Sequence, residues 1–320
     1  MGSNFSSKLP SAAALGPWFA LALACLFFAT QSDRFLSGSN FSLIMQQVMV
    51  VGVLAIGQTL IILTAGIDLS CGMVMALSSI VMTKFAVDLG VPPALCLLIA
   101  LAVGASFGFL NGILVTKMKL PSFIVTLGTL NIAFAITQIY SHSQTVTHLP
   151  PALVALGKTF SIGGTEISFG VVLMIALYVL TWWLLRDSAR GRHVYAVGNN
   201  AEAARLTGIP VDKVLLWVYV LAGVFYGIAA WLTVARTEVG DPQAGQTDNL
   251  DAITAVVLGG TSLFGGRGIV LGSLVGAIIV GVFRNGLTLM GVASVYQTLI
   301  TGILVILAVS ADQLSRKNAR

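Results

Sequence analysis

Charge is what this chain has least of. Asp, Glu, Lys and Arg make up 9% of its 320 residues, against about 25% in soluble domains. A water-facing surface cannot be built from so few charges, so a soluble globular protein is excluded. Cysteine and histidine are equally sparse, three of each. Cys25, Cys71 and Cys96 sit in or beside apolar runs at unrelated spacings, which excludes a disulfide framework or a thiolate metal site. His142, His148 and His193 have no acidic or cysteine partner at ligand spacing, and no H-E-x-x-H pair occurs. The stretch Gly157-Lys158-Thr159 imitates a phosphate-binding loop. The glycine needed five residues earlier is replaced by Ala152, so the chain is not expected to bind or hydrolyse a nucleotide. No catalytic residue, cofactor, metal or nucleic-acid partner is expected.

What is there is hydrophobic, at 57% of residues. Apolar stretches of the length that crosses a bilayer, roughly 17–25 residues, lie near 15–30, 42–65, 72–87, 93–115, 122–140, 168–185, 213–235, 251–265, 268–283 and 295–311. The expected fold is therefore an all-α polytopic membrane protein with about ten transmembrane helices, 251–265 being the shortest. Alternation in strand-length segments, the mark of a transmembrane barrel, is not visible. The first apolar run continues past a weak cleavage-like site at Cys25 through Phe28, so it reads as a retained span.

Basic residues set the orientation, because Lys and Arg concentrate on the cytoplasmic side. With the N-terminus inside, the inner loops and tails collect Lys8, Lys117, Lys119, Arg186, Arg190, Arg192, Arg205, Lys213, Arg267, Arg316, Lys317 and Arg320. Both termini are then cytoplasmic. The chain divides into a tail at 1–14, one membrane domain at 15–311 with its largest cytoplasmic loop at 186–212, and a tail at 312–320.

That loop contains "YAVGNNAEAARLTGIP" (195–210), a polar helix with both ends marked. Asn199 or Asn200 can cap its N-terminus, Glu202 and Arg205 suit the two ends of the helix dipole, and Gly208 with Pro210 stops it. An ordered element in a connecting loop is either a contact for a cytoplasmic partner or a helix lying on headgroups, held there by Arg186, Arg190 and Arg192. From these residues both readings stay open.

The two halves echo each other. "GIDLSCG" (66–72) resembles "GTSLFGG" (260–266), and "FLNG" (109–112) resembles "FRNG" (283–286), although the two offsets differ by about 20 residues. An internal repeat with Gly-interrupted helices is expected to place the breaks near a transport path. Charge is nearly absent from the membrane interior, the main exception being Asp68 at the 66–72 break, while amides and hydroxyls are plentiful. Such a lining suits a neutral polyhydroxylated solute better than ion coupling, which needs buried acids or a cation cage. Gln58, Asp68, Asn111 and Asn131 are the candidates for the path, and Asp68 also suits a cap for the helix starting near Ser70. An ion-coupled secondary transporter of a small polar solute is the alternative.

Five segments, "GIDLSCG", "LPSFIVTLGTL", "GRHVYAVGNNAEAARLTGI", "TAVVLGGTSLFGGRG" and "VGVFRNGLTLMGV", resemble the permease subunits of bacterial ATP-binding-cassette importers for ribose, xylose, fructose and related monosaccharides. The resemblance spans about residues 42–311. It implies a multi-pass protein of the bacterial inner membrane, a second copy of the chain, a cytoplasmic ATP-binding subunit and a periplasmic sugar-binding protein. It also implies that Ala196, Gly198, Asn200, Glu202, Ala203, Ala204, Arg205, Gly208 and Ile209 belong to the segment that couples to the ATPase. There, small Ala203 and Ala204 would allow close seating, and Ala204→Arg would be expected to break it.

Overall fold

The computed structural model describes residues 12–317, and Lys8 and Arg320 lie outside the described residues. The chain is an all-α polytopic membrane protein. Its helices are α1 (Ala12–Gln31), α2 (Gly38–Leu63), α3 (Cys71–Val87), α4 (Pro93–Thr116), α5 (Ser122–Ser141), α6 (Phe169–Asp187), α7 (Ala189–Asn199), α8 (Ala201–Leu206), α9 (Val211–Thr237), α10 (Asp248–Leu258), α11 (Val270–Leu289) and α12 (Ser294–Lys317). A small hairpin, β1 (Thr159–Ile162) with antiparallel β2 (Thr165–Ser168), precedes α6. Six helices (α2, α4, α5, α6, α9 and α11) are long and apolar enough to cross a bilayer, and α1, α3 and α12 contain shorter apolar stretches.

Most expected spans match a helix closely; 251–265 does not. It forms the eleven-residue α10, about 16 Å long at 1.5 Å per residue, and then turns at Gly259 and Gly260. That is about half the 30 Å hydrocarbon core, so α10 cannot cross by itself.

The molecule is organised around α2. Every residue from Val48 to Leu63 is buried, because α9, α11, α10 and α6 surround it. A helix apolar on all sides has no polar face to give to water, and the interior is where it belongs. Close approach elsewhere comes from glycine. Gly104 of α4 and Gly223 of α9 lie against each other's backbone carbonyls, and Gly108 lies against Tyr219, which is why α4 and α9 form the largest helix pair. The first apolar run is an integral element: Phe28 of α1 is buried, stacks edge-on against Phe283 at 5.6 Å and covers Gly286 of α11.

The two ends of the bundle are distinct. At one end Val146 bridges Gly240, and Gly38 lies beside Thr165 of the hairpin. At the other, the end of α2 meets α7 and the turn before α11. All the loops that the basic residues assign to the cytoplasm gather at this second end.

The apparent repeat is placed unequally. "FLNG" lies in α4, so the whole of α3 separates it from the 66–72 break, whereas "FRNG" lies in α11, the helix that directly follows the 260–266 turn. The offset of about 20 residues is thus one complete helix, and the two motif pairs are not structural equivalents.

Candidate functional site

The polar stretch in the large loop folds as two helices. Ser188 caps α7, its side chain accepting from Gly191 N, and Asn200 caps α8, its Oδ1 accepting from Ala203 N at 3.0 Å. Gly208 takes φ +86, the left-handed turn that only glycine adopts without strain, and ends the unit. Thr207 and Gly208 N donate to Ala203 and Arg205 carbonyls, closing the last turn.

The expected coupling residues separate into two groups. Glu202, Ala203, Arg205 and Gly208 are exposed on or just after α8, with Asn200 at its cap. Arg205 is held by Asp212 at 3.4 Å. Ala196 and Ile209 are half-buried, while Gly198 and Ala204 are buried within the chain itself. The small side chain of Ala204 therefore seats α8 on its own protein, and Ala204→Arg would disrupt that seat before it reached any partner. The residue that patterning missed is Leu206, the last of α8, which is 89% exposed. An apolar residue on a polar helix gives little signal in sequence, since it reads as one more inward-facing position.

Gly198 explains how this unit is tied to the membrane. A Cβ there would overlap the carbonyl oxygen of Leu63 at the end of α2 and lie 2.7 Å from Gly266 N. Gly266 N itself donates to Leu63 O at 2.9 Å, and Gly265 packs on Ala65 and on the carbonyl of Gly198. Tyr195 of α7 adds a hydrogen bond from its hydroxyl to Gly268 O at 3.0 Å. Burial pushes that hydroxyl above its ordinary pKa, so it stays protonated and able to donate. Three segments far apart in sequence, 63–66, 195–199 and 262–268, therefore meet backbone to backbone. The two glycine-rich breaks are joined by α7 at this point.

Behind the junction lies a buried polar cluster. Asp68 Oδ1 accepts from Ser70 N at 2.7 Å and Ser70 Oγ at 2.6 Å, and Oδ2 accepts from the Tyr226 hydroxyl at 3.1 Å. Gln58 Nε2 donates to the Asp68 carbonyl, and Asn111 Nδ2 donates to Ser70 Oγ at 3.2 Å. Gln58, Asp68 and Asn111 are each at most 1% exposed. The structure brings these three together as a clasp on the α2–α3 break, with Asp68 organising the turn into α3. Asn131 is not among them. It is exposed on α5, and its Nδ2 donates to Leu127 O within its own helix.

At the opposite end a cavity of about 360 Å³ opens between α2, α9 and α11, lined by Gln47, Arg236, Asp248 and Arg284 among others. Arg284 pairs with buried Asp251 at 2.6 Å and reaches Asp248 at 3.8 Å. The segment 238–247 forms part of its wall. Sequence patterning places this segment in an outer loop; the structure threads it along α3. Gly240 lies against Thr83, Gly245 against Gly72, and Asn249 Nδ2 donates to Leu69 O at 3.2 Å.

The match to known proteins is specific. A family model described as branched-chain amino acid transport system / permease component matches residues 40–309. The chain is 45% identical over 317 residues to the fructose import permease protein of Rhizobium meliloti, covering 97% of this chain and 88% of that one. It is 38% identical over 301 residues to the ribose import permease protein of Bacillus subtilis, covering 93% and 92%. It is 35% identical over 322 residues to the D-allose transport system permease protein of Escherichia coli, covering 98% of both chains. The chain belongs to this family, the permease subunits of ATP-binding-cassette sugar importers. It is a transport subunit and not an enzyme.

Proposed function

We propose that two copies of this chain form the route by which a monosaccharide enters the cell across the bacterial inner membrane. A periplasmic binding protein delivers the sugar, and a separate cytoplasmic ATP-binding subunit supplies the work. The relatives are named for fructose, ribose and allose, all neutral and polyhydroxylated, which fits a chain whose membrane interior is rich in amides and hydroxyls. The membrane domain is the unit at 15–311, and the basic loops orient it with both termini inside.

The observation that carries this reading is α8. It is capped at both ends, presents Leu206 with Glu202, Ala203 and Arg205, and stands on α7, which is fixed to the ends of α2 and α11 through Gly198, Tyr195 and Gly266. An apolar knob ringed by polar residues fits a groove on a partner, and the junction behind it passes a displacement of the knob to the central helix. At the other end, the β1–β2 hairpin and the turn near Val146 and Gly240 offer the surface for the binding protein. Asp68 supports no ion-coupled reading, because both its oxygens are used by Ser70 and Tyr226.

The test is uptake into vesicles carrying the chain with its ATP-binding subunit and the sugar-loaded binding protein. Uptake of D-fructose, D-ribose or D-allose that requires ATP and both partners supports the proposal. Uptake by the chain alone, driven by an imposed ion gradient, overturns it.

A further inference from the structure

The segment 238–247 is non-helical yet runs inside the bundle. Its contact with α3 moves from Thr83, opposite Gly240, to Gly72, opposite Gly245. Eleven helical residues correspond to about 16 Å of depth, half of the hydrocarbon core. Gln138 of α5 donates to Pro242 O at 3.0 Å, which fixes the level of the segment's upper part against α5. Irregular backbone at membrane depth is tolerated only where protein buries it or where it lines a water-filled space.

This segment is not wholly buried. Gln243 and Gln246 are exposed, their side chains hydrogen-bonded only to each other among the described residues. On α5, Asn131 lies two turns deeper than Gln138 and is exposed as well, at a level between Pro242 and the Leu69–Asn249 contact. Three uncharged amides are thus exposed on one subunit at depths where lipid would leave them unsolvated. Exposed amides facing hydrocarbon cost several kcal/mol each, so these side chains belong beside water or polar groups and not beside lipid.

We infer that the re-entrant segment 238–247 and α5 form the wall of the sugar path, with Gln243, Gln246 and Asn131 exchanging hydrogen bonds with sugar hydroxyls during passage. A primary amide supplies two donors and an acceptor, matching a hydroxyl-rich solute without a charge that would hold it. The clasp of Gln58, Asp68 and Asn111, in contrast, is buried and positions the helices. The inference rests on the import reading above, and the experiment separates the two.

Cysteine is placed singly at 243, 246 and 131 in the assembled transporter, and labelling by a membrane-impermeant thiol reagent is followed with and without millimolar D-fructose, D-ribose or D-allose. The unsubstituted chain sets the background from Cys25, Cys71 and Cys96. Labelling at all three sites, slowed severalfold by the transported sugar, is expected. Absence of labelling overturns the inference, since the sites would then face lipid or protein. Labelling that no sugar slows, in a preparation with ATP-dependent uptake, also overturns it while leaving the import reading intact. A preparation without sugar uptake defeats the import reading instead, and with it the assignment of these amides to sugar. Gln246→Leu provides the second measurement: uptake falls about tenfold for one lost hydroxyl contact, and Gln246→Asn recovers part of it. Equal uptake by the leucine variant and the unsubstituted chain overturns the role of Gln246.

Discussion

Adding one methyl group at Gly198 probes the junction that ties the capped helix to the membrane core. In Gly198→Ala the new Cβ overlaps Leu63 O and crowds Gly266 N at 2.7 Å. Neither neighbour is the far end of a flexible side chain. Both are backbone atoms already bonded to each other at 2.9 Å, so relief requires α7 to lift from α2 or the 262–268 turn to withdraw. Overpacking of this kind costs about 1–3 kcal/mol. The intrinsic gain of alanine over glycine inside a helix offsets up to about 1 kcal/mol. With backbone atoms on both sides of the new methyl the cost sits at the upper end, about 3 kcal/mol, so that after the alanine gain of up to about 1 kcal/mol the net loss is about 2 kcal/mol, concentrated at the seat of α7. Thermal unfolding in detergent should fall modestly, and ATP-driven uptake should fall much further, because the loosened seat no longer transmits the motion of α8. Gly302→Ala is the control: nothing lies within 4 Å of a Cβ at that helical position, and both stability and uptake should hold. Unchanged stability and uptake in Gly198→Ala would mean that α7 is not seated on α2 through this glycine.

Other substitutions test neighbouring contacts. Tyr195→Phe removes the hydrogen bond to Gly268 O and should cost about 1 kcal/mol of stability, measured by thermal unfolding, with uptake reduced in the same sense as in Gly198→Ala. Arg284→Ala leaves Asp251, 3% exposed, without its partner at 2.6 Å. The loss should sit at the low end of about 3–5 kcal/mol, because part of the guanidinium already faces the cavity, and lower yield of folded protein would show it. Asp68→Asn keeps an acceptor for Ser70 and should retain most ATP-driven uptake, whereas Asp68→Leu should destabilise the α2–α3 break. Complete loss in the asparagine variant, with folding intact, would return Asp68 to a role in ion coupling.

Hydrophobic run lengths and loop charges made the membrane fold legible, because both follow directly from the bilayer as solvent. The caps of α8 were legible for the same kind of reason: Asn200 and Gly208 act locally, within a turn of themselves. What could not be read was anything set by depth or by long-range backbone contact. The segment around Gln243 and Gln246 is polar and resembles an outer loop; only its packing along α3 reveals that it enters the membrane. Likewise, 251–265 is apolar enough for a span, yet the eleven-residue α10 that begins at Asp248 ends before the turn at Gly259 and Gly260. Gly198 and Ala204 are small because they meet their own chain, a fact carried by Leu63 and Gly266 far away in sequence. Polarity alone grouped Asn131 with Gln58, Asp68 and Asn111, although the last three close a buried clasp and Asn131 is exposed.

If α8 docks a separate motor, that motor should accompany the chain through purification in mild detergent from the native host. The unsubstituted chain should carry a stoichiometric ATP-binding subunit, and Leu206→Asp should lose it while membrane yield holds, since Leu206 contributes little to the chain's own core. Retention of the ATPase by Leu206→Asp would mean that Leu206 is not the docking contact, and an unsubstituted chain that purifies alone and still transports would mean that no separate motor is needed.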